Sequence, residues 1–219
     1  NGPPVQQTIV QVTIQGFTWV RGQNREQTVL VGETSAPFEF TFTPYNGYNL
    51  PTTLTPWSCN PGPAICSFTP GNVITPSGSP INVTMTVKVP IQERFSVGGD
   101  WSFPVMAKVD LPGGYGDSIW MPPDGEITIH VQDFQLQPSV EQFALAPGQS
   151  SQITITNREF NNLNATVNLS CPADLPPGAT CTLDKTTLQP HDVAVVTFRA
   201  APGFPLGFRE FELSGVADV

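Results

Sequence analysis

Charge is the scarcest commodity in this chain. Only 12% of its 219 residues are Asp, Glu, Lys or Arg, and 9 Lys/Arg against 18 Asp/Glu leave a net charge of −9. No Lys/Arg cluster is present to neutralise phosphates, which excludes nucleic-acid binding. The same deficit argues against an anionic membrane surface. No apolar run reaches the length of a membrane-spanning helix, and no stretch of a dozen residues carries the 3.6-residue period of an amphipathic helix. There are only 2 histidines. His130 lies on the polar face of a strand pattern with Thr128 and Gln132, and His191 stands in a turn between Pro190 and Asp192. Neither reads as more than a surface residue. Cys-x-x-Cys spacing, a Gly-x-Ser-x-Gly elbow and an EF-hand-like loop are all missing. A catalytic role and a cofactor are therefore not expected. Asp110, Asp117 and Asp124 frame a Gly-rich loop, and a weak calcium site there is the minor alternative to an ordinary solvated loop.

Turn formers and small polar residues fill the space that charge leaves. The chain has 24 Pro and 19 Gly, with an apolar fraction of 39%. Short strands joined by many turns suit that mixture. The length fits two domains of about 100 residues better than one sandwich. Four cysteines form two local pairs, Cys59/Cys66 and Cys171/Cys181, each spanning a Pro/Gly-rich turn. Two disulfides made in an oxidising compartment are expected, contributing about 2–3 kcal/mol each by loop-closure entropy.

An internal repeat sets the fold expectation. Thr28–Glu33 followed by Phe38–Phe42 parallels Phe143–Gln149 followed by Gln152–Thr156. The cysteine turns come next, then the alternating strands Ile81–Val87 and Val193–Phe198. Last come Gly99–Ala107 and Gly207–Gly215, in which Phe103, Val105 and Ala107 match Phe211, Leu213 and Gly215. About seven short strands per copy describe a Greek-key sandwich of immunoglobulin type. The antibody pattern of two cysteines bridging the sheets around a Trp is absent, and these pairs read as staples between neighbouring segments at one end.

The phrases Val131–Phe134, Ala146–Ser150, Leu169–Cys171 and Leu175–Cys181 resemble the tandem bacterial Ig-like repeats of large secreted and cell-surface proteins. Leu54–Cys59 and Pro63–Pro70 are the looser match in the first copy. The resemblance implies an extracellular spacer or adhesive role and brings no catalytic residues with it.

The order within the repeat is penultimate strand, loop, closing strand, next copy. The first copy follows it: Trp101–Val109, the loop Leu111–Asp124, then Glu126–Gln132. The second copy reaches Phe208–Ala217 without a closing strand after it. The matching strand stands at the front of the chain. In Thr8–Gln15, Val10, Val12 and Ile14 alternate with polar residues as Ile127, Ile129 and Val131 do, and Phe17 follows as Phe134 does. The expected organisation is a donor strand over 1–15, a first domain over 16–132 and an open acceptor domain over 133–219. Burying Val10, Val12 and Ile14 in a groove beside Phe211 and Leu213 would contribute about 5–9 kcal/mol. With the domains standing end to end, a second copy is the expected donor. A head-to-tail contact of that kind propagates into a filament. The expectation is thus an extracellular filament subunit assembled by donor-strand complementation, as in a pilus, with identical subunits as partners. The alternative is a two-domain fragment of a longer secreted or cell-surface adhesin or spacer. A carbohydrate-binding role for it would use Trp19, Trp57, Trp101, Trp120, Tyr45, Tyr48 and Tyr115 as stacking platforms; core and interdomain packing is the competing use of those rings. Asn82, Asn164 and Asn168 begin N-glycosylation sequons.

Overall fold

A computed structural model describes residues 11–56, 59, 64–91, 98–110, 117–120 and 126–218, with backbone alone at 110 and 117–120. It is all-β, with several antiparallel sheets and no helix among the described residues, consistent with the Ig-like sandwich expected from the strand periodicity. The chain divides into two units. The first takes the chain up to Gln27, Thr34–Lys88 and Ser102–Thr128; the second takes Thr28–Glu33, Val89–Trp101 and everything from Ile129 onward.

In the first unit, β1 (Gly16–Arg21), β3 (Phe38–Tyr45), β7 (Ile81–Lys88) and β5 (Ile65–Thr69) make one antiparallel sheet in the order β1-β3-β7-β5. β2 (Glu26–Leu30) pairs with β10 (Glu126–Pro138). β4 (Thr52–Pro56) lies between β6 (Val73–Ile74) and β8 (Gly99–Asp110), and β8 borders β9 (Asp117–Trp120) and β10. β8 and β10 contribute residues to both units. Alternation does the sorting: Phe38, Phe40 and Phe42 are buried while Glu39 is exposed, and Val83, Met85 and Val87 are buried one strand over.

In the second unit, the C-terminal part of β10 starts a sheet with β11 (Ser150–Phe160), β15 (Val193–Ala200) and β13 (Ala179–Leu183), in the order β13-β15-β11-β10. β12 (Thr166–Ser170) lies between β14 (Thr187–Leu188) and β16 (Ser214–Asp218). The two sheets close on Val167, Leu169, Leu188 and Ala194, with Phe134, Leu136, Leu183 and Ala217 packed against them. Their approach is tight at Gly215, where an added Cβ would stand 2.7 Å from Leu136 Cδ1.

Strand registers repeat residue for residue. Leu54 faces Ala107 as Leu169 faces Gly215, and Thr52 faces Ile74 as Val167 faces Leu188. Cys66 faces Val87 as Cys181 faces Phe198, and Trp19 faces Phe42 as Leu136 faces Asn157. Both disulfides form, with Cα separations of 5.6 Å for Cys59–Cys66 and 5.9 Å for Cys171–Cys181. Cys171 follows β12 and Cys181 lies within β13, so this bond ties the rims of two different sheets. The segments it joins are consecutive in the chain.

Candidate strand-acceptor edge

The decisive comparison is between β8 and β16, which occupy the same place in the repeat. β8 has β4 on one side and both β9 and β10 on the other, and it runs for 12 residues. β16 has β12 on one side, with no strand beyond it among the described residues, and it runs for 5. The lost length is informative. The β4 ladder along β8 stops at Val105, opposite Pro56, and residues before Val105 run beside β10. There Ser102 Oγ and Thr128 Oγ1 are 2.9 Å apart, and His130 Nδ1 is 2.8 Å from Asp100 Oδ1. The counterparts in the second unit, up to Leu213, form no strand, although Phe208–Ala217 was expected to be one. A segment whose neighbour is missing has no ladder to hold it extended.

Burial follows pairing. Phe103, Val105 and Ala107 are 1%, 0% and 0% exposed. Their matches Phe211, Leu213 and Gly215 are all half-buried. Phe211 and Leu213 lean on the cluster of Ile153, Ile155, Val196 and Phe198, with the Phe211 and Phe198 rings 5.6 Å apart. Leu206, Phe208 and Val216 are 86%, 71% and 66% exposed. Among the described residues, β16 thus has a paired strand on one flank only, and Phe211 and Leu213 just before it are left half-buried.

The leading segment is its complement. Residues 11–15 form no strand and are exposed, with Val12 and Ile14 at 80%, whereas Ile129 and Val131 in the matching strand are 0% exposed. Val10 lies outside the described residues. Phe17, grouped with the donor strand as the residue that follows it, lies at the start of the first domain expected over 16–132. It sits in β1 and stacks on Phe42 at 4.6 Å and against Tyr48 at 5.2 Å, and that aromatic packing commits it to its own subunit.

The sequence reading missed how the two strand ends are held. Tyr45–Tyr48 and Phe160–Leu163 are tight turns with positive φ at both central residues, 54° and 76° at Asn46 and Gly47, and 53° and 57° at Asn161 and Asn162. Each is closed by the backbone bond Tyr48 N to Tyr45 O or Leu163 N to Phe160 O. From this geometry, Asn161 Nδ2 donates to Val131 O at 2.9 Å and Asn46 Nδ2 donates to Ile14 O at 2.7 Å. Gln132 Nε2 adds a bond to Asn161 O at 3.1 Å. The dipeptides Asn46-Gly47 and Asn161-Asn162 were the available signal, because such turns favour Asn and Gly.

Of the other candidate residues, Asn168 pairs with Val216 across β12 and β16. Trp19 is wholly buried against Phe40, and Tyr48 is buried with its hydroxyl 3.0 Å from Thr52 Oγ1, so neither ring can stack on a sugar. Tyr45 is 49% exposed and Trp101 half-buried. Trp57 and Tyr115 lie outside the described residues, as does the Trp120 side chain. Asn82, Asn164 and Asn168 are exposed, and Asn82 Oδ1 accepts a bond from Thr41 Oγ1. His191 Nε2 is 3.3 Å from Glu159 Oε1 in an exposed turn. The backbones of Asp110 and Asp117 pair across β8 and β9, and Asp124 lies outside the described residues. Among the described residues, no group of three His, Cys, Asp or Glu is placed to hold a metal.

No protein-family model and no curated protein sequence matches the chain. Solved structures similar to it include a protein of unknown function from Porphyromonas gingivalis W83, at 12% identity and TM-score 0.31, covering 85% of this chain and 83% of that one. A marsupial T cell receptor aligns at 11% identity and TM-score 0.35, covering 88% of each chain. Domains 4 and 5 of the S-layer protein SbsC align at 12% identity and TM-score 0.28, covering 93% of this chain and 92% of that one. These scores are too low to place the chain in any of those families.

Proposed function

We propose that this protein is a non-catalytic structural subunit of an extracellular assembly, joined head to tail by strand addition. Residues 8–15 of one copy pair with residues 206–213, just ahead of β16, in the next. The observation that carries this reading is the contrast between Phe103/Val105, sealed beneath a neighbouring strand, and Phe211/Leu213, left half-open where that strand is missing. An unpaired edge over an apolar strip is a template for β-addition. A contact between different patches on identical copies does not close by two-fold symmetry and extends into fibres. Two disulfides favour an oxidising, extracellular setting.

The test is sedimentation and electron microscopy of the full chain beside a Val12→Asp/Ile14→Asp variant. The parent chain is expected to form filaments and the variant to remain monomeric, because a carboxylate aimed into an apolar groove goes unpaired. Filaments of undiminished length from the variant would sink the proposal. A second reading, that the chain is a two-domain stretch of a longer cell-surface protein whose later residues fill the same edge, draws equally on the open edge. The mass of the native polypeptide separates the two.

A further inference from the structure

We infer that Asn46 is a positioning residue for strand donation, aiming residues 11–15 out of the first unit along the path of a closing strand. The inference rests on the proposed function and goes beyond it by naming the group that presents the donor.

One side-chain bond holds a segment that the subunit leaves exposed. Asn46 Nδ2 donates to the carbonyl of Ile14 at 2.7 Å, yet residues 11–15 are exposed and form no strand. The same bond has an evident role elsewhere. Asn161 Nδ2 holds the carbonyl of Val131, the last inward-facing residue of the closing portion of β10, just before the chain enters the first paired residues of the second unit. The equivalence is positional throughout. Gly16 pairs with Tyr45 as Asp133 pairs with Phe160, and each partner is followed by the Asn that begins a turn with two positive φ angles. Gln15 repeats the last element: its Nε2 lies 3.6 Å from where a Cβ on Gly47 would stand, over the turn equivalent to the one that Gln132 contacts.

The register of donation follows. With Ile14 standing where Val131 stands, Gln11 meets Glu210 as Thr128 meets Ser102, and Thr13 meets Phe208 as His130 meets Asp100. Exposed Phe208 thereby gains Thr13 as a cross-strand neighbour. A segment already fixed at its root loses less freedom on docking, which is the general source of gain from preorganisation.

The experiment measures filament assembly by sedimentation for the full chain, Asn46→Gly and Asn46→Asp, with thermal unfolding of each recorded in parallel. Glycine keeps the positive φ and removes the amide; Asp keeps the shape and removes the N–H donor. Both variants are expected to stay folded with little change in the unfolding midpoint and to raise the critical concentration for assembly about two- to tenfold, the cost of fixing the loosened root again on docking. A parent that assembles beside variants of unchanged critical concentration overturns the role of Asn46 alone. A parent that stays monomeric overturns the proposed function, and this inference with it.

Discussion

Phe103 and Phe211 are the same side chain at the same place in a repeat, and they meet different fates. The first is 1% exposed; the second is half-buried and leans on Phe198. Composition and alternation treat the two alike, because both register their faces by the period of two. What separates them is whether a neighbouring strand covers the groove. Phe103→Ala is expected to cost about 3–5 kcal/mol, the usual range for a buried aromatic. Phe211→Ala is expected to cost roughly half as much in the free subunit, and to approach the Phe103 value once the subunit is assembled. Urea unfolding of monomer and polymer checks both; equal costs in the monomer would show that the edge is already sealed. Phe17 carries a related lesson at this scale. It falls out of step with Val10, Val12 and Ile14, and a stack on Phe42 holds it in its own unit.

At the scale of the element, β8 and β16 show how much of a strand is made by its neighbours. β16 keeps the residues whose counterparts pair with β4, and it loses those whose counterparts lie beside β10. Strand propensity is weak relative to such context. Amide hydrogen exchange should report this directly. Residues 206–213 are expected to exchange quickly in the monomer and to become protected on assembly, while amides of β12 and β15 are slow in both states. Protection of residues 206–213 in a demonstrated monomer would contradict the open edge. The tight turns belong to this scale too. Asn46-Gly47 and Asn161-Asn162 were legible as turn dipeptides, but which carbonyl each amide would reach was not. Val131 and Ile14 lie about thirty residues from their partners in sequence, and only the packed sheet brings them together.

Over the whole molecule, stability is divided between covalent ties and an incomplete core. The Cys171–Cys181 bond spans a sequence separation of 10 and joins the rims of two sheets. Loop-closure entropy assigns such a bond about 2–3 kcal/mol. Reduction is therefore expected to lower the urea midpoint of the monomer, with a smaller change in filaments, where an added strand also holds those sheets. An unchanged monomer midpoint after complete reduction would count against it. Under the proposed strand addition, docking of Val10, Val12 and Ile14 would contribute about 5–9 kcal/mol of apolar burial. That is comparable with the total stability of a typical domain, so assembly and folding of the second unit are expected to be strongly linked.

Much of this architecture could be read from residue order. Period-two alternation located the strands, the repeated cysteine turns aligned the two copies, and the offset linking Phe17 to Phe134 is the one that the ladders of β1 and β10 display. These are local patterns, and a backbone with a side-chain period of two reports them locally. Exposure at Phe211 and Leu213, the unravelled stretch before β16, the capture of Phe17 by Phe42 and the Asn46 bond to Ile14 all depend on which segment lies alongside. Neighbours distant in sequence supply or withhold the ladder bonds and the burial, and no local pattern records whether that neighbour is present.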